Sequence, residues 1–165
     1  DHFVGELVKQ FELPRQPGPE LGAALAAAGV GAADAEYLCA RLQPGLRAVA
    51  LTGQTSLLTA VANDTGADLV FAQQLHVYGR AGDALLALST SGNSRNVVLA
   101  AAVARARGMK TVALTGGDGG RLRALADVLV AVPGDSCAAV QELHLPLYHG
   151  WCRMQRGILL PWRED

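Results

Sequence analysis

The chain has 165 residues, half of them apolar and 18% charged, with a formal net charge of −1. That length supports one domain with a sizeable core, and the composition excludes a disordered chain. Lys and Arg are dispersed, so no nucleic-acid partner and no membrane-surface partner is expected.

In chain order, Phe3, Val4, Leu7, Val8 and Phe11 recur at helical spacing and predict a helix over 1–13. Asp1 is not an initiator Met, and His2-Phe3-Val4-Gly5-Glu6-Leu7 reads as mid-helix, so residues upstream of Asp1 are expected. His2 and Glu6 lie opposite the apolar stripe with Lys9, which by itself predicts a solvated face unless another subunit covers it. Pro14, Pro17, Gly18 and Pro19 then break the chain. Residues 19–43 are Ala-rich and helix-prone, interrupted at Gly29 and Gly31, and Pro44-Gly45 closes them.

Short apolar runs follow at 47–52, 84–88, 110–114 and 128–132, each bounded by Gly, Asp, Ser or Pro. Helix-length segments lie between them at 55–63, 67–79, 95–107 and 120–126. Continuous apolar strands alternating with helices predict an α/β fold with a parallel sheet covered on both faces. A last helix is predicted over 136–156, with a tail ending in Pro161. In such folds ligands bind beyond the carboxyl ends of the strands. The loops at 52–56, 89–94, 115–120 and 133–136 are therefore the places to look.

Ser89-Thr90-Ser91-Gly92-Asn93-Ser94 stands out, with four hydroxyls and one Gly between a strand and a helix start. Gly92 permits φ > 0 and close backbone approach. The helix start offers unpaired N–H groups and partial positive charge. Those are the donors a phosphomonoester needs. No G-K-[ST] or G-x-G-x-x-G pattern accompanies them, which argues against a nucleotide. The alternative is an ordinary polar turn in which Ser94 caps the helix. Cys39, Cys137 and Cys152 are widely spaced with no C-x-x-C, as expected of reduced thiols in the cytoplasm that fill small apolar gaps. The first residues do not read as a signal peptide, and no apolar run reaches the roughly 20 residues that span a bilayer. His76 reads as a surface residue. Val140, Leu143, Leu147, Trp151 and Met154 form a stripe at helical spacing that predicts core or subunit contact.

Leu88 to Ser94, Gly108-Met109-Lys110 and Leu114-Thr115-Gly116-Gly117-Asp118-Gly119-Gly120 resemble the sugar isomerase (SIS) domain, and within it the phosphoheptose isomerase branch. His2 to Leu7, Ala62-Asn63-Asp64, and Gln141-Glu142-Leu143-His144 through His149 agree with it in order. The resemblance covers 1–13 and 47–157. It implies a single SIS domain over 1–165, a three-layer α-β-α sandwich with a doubly wound parallel sheet. Residues 14–46 would be a longer helical insertion. The first strand and a first glycine-rich loop would lie upstream of Asp1.

The resemblance also implies roles. Ser89, Thr90, Ser91 and Ser94 match positions that hold the substrate phosphate, and Asp64 matches a polar residue of the pocket. Glu6 and His149 match the acid/base pair. His2, Glu6, Gln141 and His149 match a zinc-binding quartet, in which Gln141 also meets substrate. The implied reaction converts sedoheptulose 7-phosphate to a heptose 7-phosphate aldose, in homotetramers with sites at subunit interfaces. The alternative is a non-catalytic SIS phosphosugar binder, or an adaptor that binds a replication initiator. Gln141 and His149 favour the enzyme. On an ideal helix they stand about 80° apart, whereas His144 lies about 60° to the other side of Gln141. Ala138 and Ala139 replace residues often polar in the family, and Pro146 interrupts the backbone bonding of the last helix.

Overall fold

The structure is a computed structural model that describes residues 1–9 and 17–159. The described residues divide into two compact units, one drawn from 1–50 and from 149 onward, the other from 51–148.

In the first unit, α1 (His2–Val8), α2 (Pro19–Ala27) and α3 (Ala32–Arg41) form where the sequence predicts helices. Pro19 opens α2, where its missing N–H costs nothing. The turn 28–31 separates α2 from α3, and the two helices pack together. α1 ends at Val8, where Lys9 turns extended, short of the helix predicted to residue 13; its part over 10–13 lies outside the described residues, as do the break at Pro14 and the tail at Pro161.

The second unit runs α4 (Thr55–Asp64), a 3₁₀ turn (Ala67–Leu69), α5 (Val70–Tyr78), β1 (Ala84–Ser89), α6 (Arg95–Ala106), β2 (Lys110–Gly116), a 3₁₀ turn (Gly120–Ala124) and β3 (Val128–Val132). The long helix α7 (Cys137–Leu159) starts in this unit and ends in the first. The strands pair in parallel in the order β1-β2-β3, with Ala87 opposite Ala113 and Ala113 opposite Leu129. Ala100, Ala101 and Ala104 are fully buried, so α6 lies close to β1 and β2. Leu75, Leu85, Val98, Met109 and Leu122 fill the same core. An α/β architecture with a parallel sheet flanked by helices is what the alternating pattern predicted.

One predicted strand is absent. Residues 47–52 form no strand, and the described sheet has three. Arg47 and Val49 are exposed while Ala48 and Ala50 are half-buried. An apolar run becomes a strand only where a neighbouring edge takes up its backbone donors and acceptors, and no described strand pairs with this one. The stripe on α7 is only partly covered within the chain. Val140 is buried and Leu147 and Trp151 are half-buried, but Leu143 and Met154 are exposed. The helix is continuous through Pro146. Among the described residues, no helix is long and apolar enough to cross a membrane.

Candidate functional site

The predicted site side chains form two groups, one in each unit. The first is the hydroxyl loop of the second unit. β1 ends at Ser89 and α6 begins at Arg95, so the loop sits at the carboxyl edge of the sheet. The Gly92 N–H donates to the Ser89 carbonyl at 3.0 Å, a tight turn that needs the positive φ of 66° at Gly92.

The loop is stitched to the chain that follows β2. The Gly116 N–H donates to the Thr90 carbonyl at 2.9 Å and the Leu122 N–H to the Gly92 carbonyl at 3.0 Å. The Asn93 side chain bonds both sides. Its Nδ2 donates to the Ser91 carbonyl and its Oδ1 accepts from the Arg121 N–H, each at 3.0 Å. A Cβ on Gly92 would lie 2.0 Å from the Gly119 carbonyl oxygen, and one on Gly120 would lie 2.5 Å from that of Ser91. Backbone therefore packs on backbone here. Gly119 and Gly120 are thus part of the loop's support.

Within the loop, Ser89 Oγ and Ser94 Oγ are 2.9 Å apart and hydrogen-bonded. Ser94 occupies the N-cap position of α6 yet makes no side-chain capping bond. The reading of Ser94 as a cap alone is thereby corrected. Ser89 is buried, Thr90 half-buried, and Ser91 and Ser94 exposed. A cleft of about 330 Å³ opens beside the loop, lined by Thr90, Ser91, Gly117, Asp118, Asp135 and Cys137 among others. Cys137 is exposed, with its Sγ 3.5 Å from Thr90 Oγ1. It lines this cleft and is not the apolar filler expected.

Arg95 is committed to Asp68, and that hydrogen bond holds the Asp68 carboxyl below its ordinary value. Asp64 is exposed at the end of α4, accepts from Asn63 Nδ2 at 2.7 Å, and does not line the cleft. Gln141 is exposed on α7 and does not line it either. His76 is exposed, as expected.

The second group belongs to the first unit. α1 places His2, Glu6 and Lys9 along one face. Glu6 Oε1 lies 3.4 Å from His2 Nε2 and 3.7 Å from Lys9 Nζ. The ring of His149 from α7 meets the His2 ring edge-on, with centroids 5.2 Å apart. Only 11% of the Glu6 side chain is exposed, against 56% for His2 and 62% for Lys9. The expected solvated face is thus corrected at Glu6, whose carboxylate is covered within one chain. A helical wheel of α1 alone cannot show the His149 ring against His2, because His149 comes from the far end of the sequence.

The donor set His2, Glu6 and His149 has the nitrogen and oxygen chemistry zinc favours. Among the described residues, however, no three or more His, Cys, Asp or Glu side chains are arranged to hold a metal ion.

A parallel α/β domain with a glycine-supported hydroxyl loop at its strand ends defines the class to which this chain belongs. The SIS domain family model matches residues 22–116, so α3 and most of α2, expected to fall outside the resemblance, lie inside the match. The phosphoheptose isomerase of Akkermansia muciniphila is 47% identical over 133 residues, which cover 76% of this chain and 70% of that one. That of Chlorobium phaeobacteroides is 51% identical over 131 residues, but only 58% of its length is spanned. Among solved structures, the phosphoheptose isomerase from Neisseria gonorrhoeae superposes with a TM-score of 0.68 at 48% identity, covering 69% of this chain and 64% of that one. The Francisella tularensis enzyme gives 0.66 at 32% identity, covering 82% and 81%. The chain belongs to the SIS domain family, in its phosphoheptose isomerase branch.

Proposed function

We propose that the protein is an aldose–ketose isomerase that converts sedoheptulose 7-phosphate to glycero-manno-heptose 7-phosphate through an enediol. The observation that carries this reading is the covered Glu6 carboxylate, with the His2 imidazole 3.4 Å away and the His149 ring against His2. Such an isomerisation needs one base to take a proton from the carbon beside the carbonyl and return it to the neighbouring carbon. Glu6 takes that role. His149 supplies a proton to the carbonyl oxygen and accepts one from the adjacent hydroxyl. The proton count closes, since ketose and aldose are isomers.

Ser89, Thr90, Ser91 and Ser94 take the substrate phosphate, with the N–H groups at the start of α6. Asp64 and Gln141 complete the polar lining of the substrate site. Zinc is the proposed metal; His2, Glu6, Gln141 and His149 are the residues that would hold it, and it would polarise the sugar carbonyl. The active form is a cytoplasmic homo-oligomer, a tetramer with sites at subunit interfaces. The reading is tested by incubating the protein with sedoheptulose 7-phosphate and following the aldose by NMR. Accumulation of the heptose aldose supports it, and phosphate binding without turnover replaces it with a phosphosugar-binding role.

A further inference from the structure

His144 is 5% exposed, and its Nε2 lies 3.2 Å from the carbonyl oxygen of Thr115, at the end of β2. A carbonyl only accepts, so Nε2 carries the hydrogen and donates. The same peptide group has its N–H at Gly116, which donates to the Thr90 carbonyl at 2.9 Å. A peptide unit is planar and rigid. One plane therefore joins the buried imidazole to the middle of the hydroxyl loop.

The surroundings leave that plane no slack. A Cβ on Gly116 would lie 2.6 Å from Val140 Cγ2 and 2.9 Å from the Thr90 carbonyl oxygen. Cys137, Val140 and His144 share one face of α7 by helical spacing. Cys137 touches Thr90 through Oγ1, Val140 packs on Gly116, and His144 holds the Thr115 carbonyl. The first two turns of α7 thus meet the loop's support at three points.

We propose that His144 is a positioning residue for phosphate binding. It fixes the Thr115–Gly116 peptide, and through that peptide the backbone of Thr90, in the orientation that receives the phosphate. The assignment rests on the reading of the Ser89–Ser94 loop as the phosphate site.

The test measures inorganic phosphate binding by calorimetry for the wild type, His144→Gln and His144→Met. Gln keeps an N–H donor, and Met keeps bulk without one. The wild type and His144→Gln are expected to bind alike. His144→Met is expected to bind about fivefold more weakly, the scale of one lost buried hydrogen bond. KM for the sugar phosphate should rise by the same factor while kcat holds. Equal phosphate affinity in the wild type and His144→Met overturns this assignment alone. No phosphate binding by the wild type overturns the phosphate reading, and this assignment with it. Should His144→Met fail to fold, ¹⁵N NMR of the wild-type imidazole decides. A neutral Nε2–H form whose nitrogen shift moves on phosphate saturation supports the assignment, and an unmoved shift overturns it.

Discussion

Gly92→Ala is the substitution that probes the hydroxyl loop most sharply. The added methyl would sit 2.0 Å from the Gly119 carbonyl oxygen, 2.4 Å from its carbon and 2.9 Å from the Gly120 nitrogen. All three are backbone atoms, so no side-chain rotation relieves the clash. The φ of 66° adds its own strain, roughly 1–2 kcal/mol for a residue with a Cβ. Overpacking that shifts backbone costs about 1–3 kcal/mol more. The sum is about 2–5 kcal/mol, and at about 3 °C per kcal/mol for a chain of this size the melting point should fall by about 6–15 °C. Gly117→Ala is the control, since its φ is 55° but nothing lies within 4 Å of the added atom. It incurs the dihedral strain alone, about 3–6 °C. Calorimetric scans of the two variants measure the difference. Where Gly92→Ala folds, the displaced hydroxyls should raise KM for the sugar phosphate by up to about 100-fold, as a 1 Å misplacement can. Equal melting points for the two variants, with KM unchanged in Gly92→Ala, would refute the packing of this loop on Gly119 and Gly120.

Further outcomes follow from the same geometry. Ser91→Ala removes an exposed hydroxyl of the cleft that also accepts from the Asn93 N–H at 3.1 Å; it should weaken phosphate binding by about fivefold and lower the melting point by no more than about 3 °C, as read by calorimetry. Asp127 is held below its ordinary 3.8 by the hydrogen bond from Lys110 and then by the Thr111 N–H. A lowered carboxyl stabilises the fold above that value, and the contribution is lost as pH falls through its folded value. The melting-point gap between wild type and Asp127→Asn should therefore be widest near neutral pH and close below pH 3.8. Zinc removal by a chelator should lower kcat and be reversed by added zinc, measured in the heptose conversion assay. Equal rates after chelation and after zinc addition would remove zinc from the account.

Much of the second unit was legible because buried parallel strands write themselves as continuous apolar runs, as Ala84–Ser89, Lys110–Gly116 and Val128–Val132 do. The run 47–52 has a similar composition without a pairing edge among the described residues, and composition carries no information about neighbours. The hydroxyl loop was visible as four hydroxyls and a Gly before a helix. Its support was not, because Asn93, Gly119 and Gly120 act through contacts between two loops. Only 11% of the Glu6 side chain is exposed although it lies opposite the apolar stripe, so a pattern read along α1 placed it in solvent. His144 was set aside on its angle from Gln141, a criterion blind to what the imidazole touches.

The isomerase account turns on Glu6 as the proton carrier. The most direct measurement follows deuterium from D₂O into sedoheptulose 7-phosphate by NMR, comparing wild type with Glu6→Gln. The amide keeps the shape of the carboxylate and removes its basicity. Wild-type protein should exchange the proton beside the carbonyl, and Glu6→Gln should lose that exchange by about 10²–10⁴-fold while still binding phosphate. Exchange by Glu6→Gln at the wild-type rate would contradict the account.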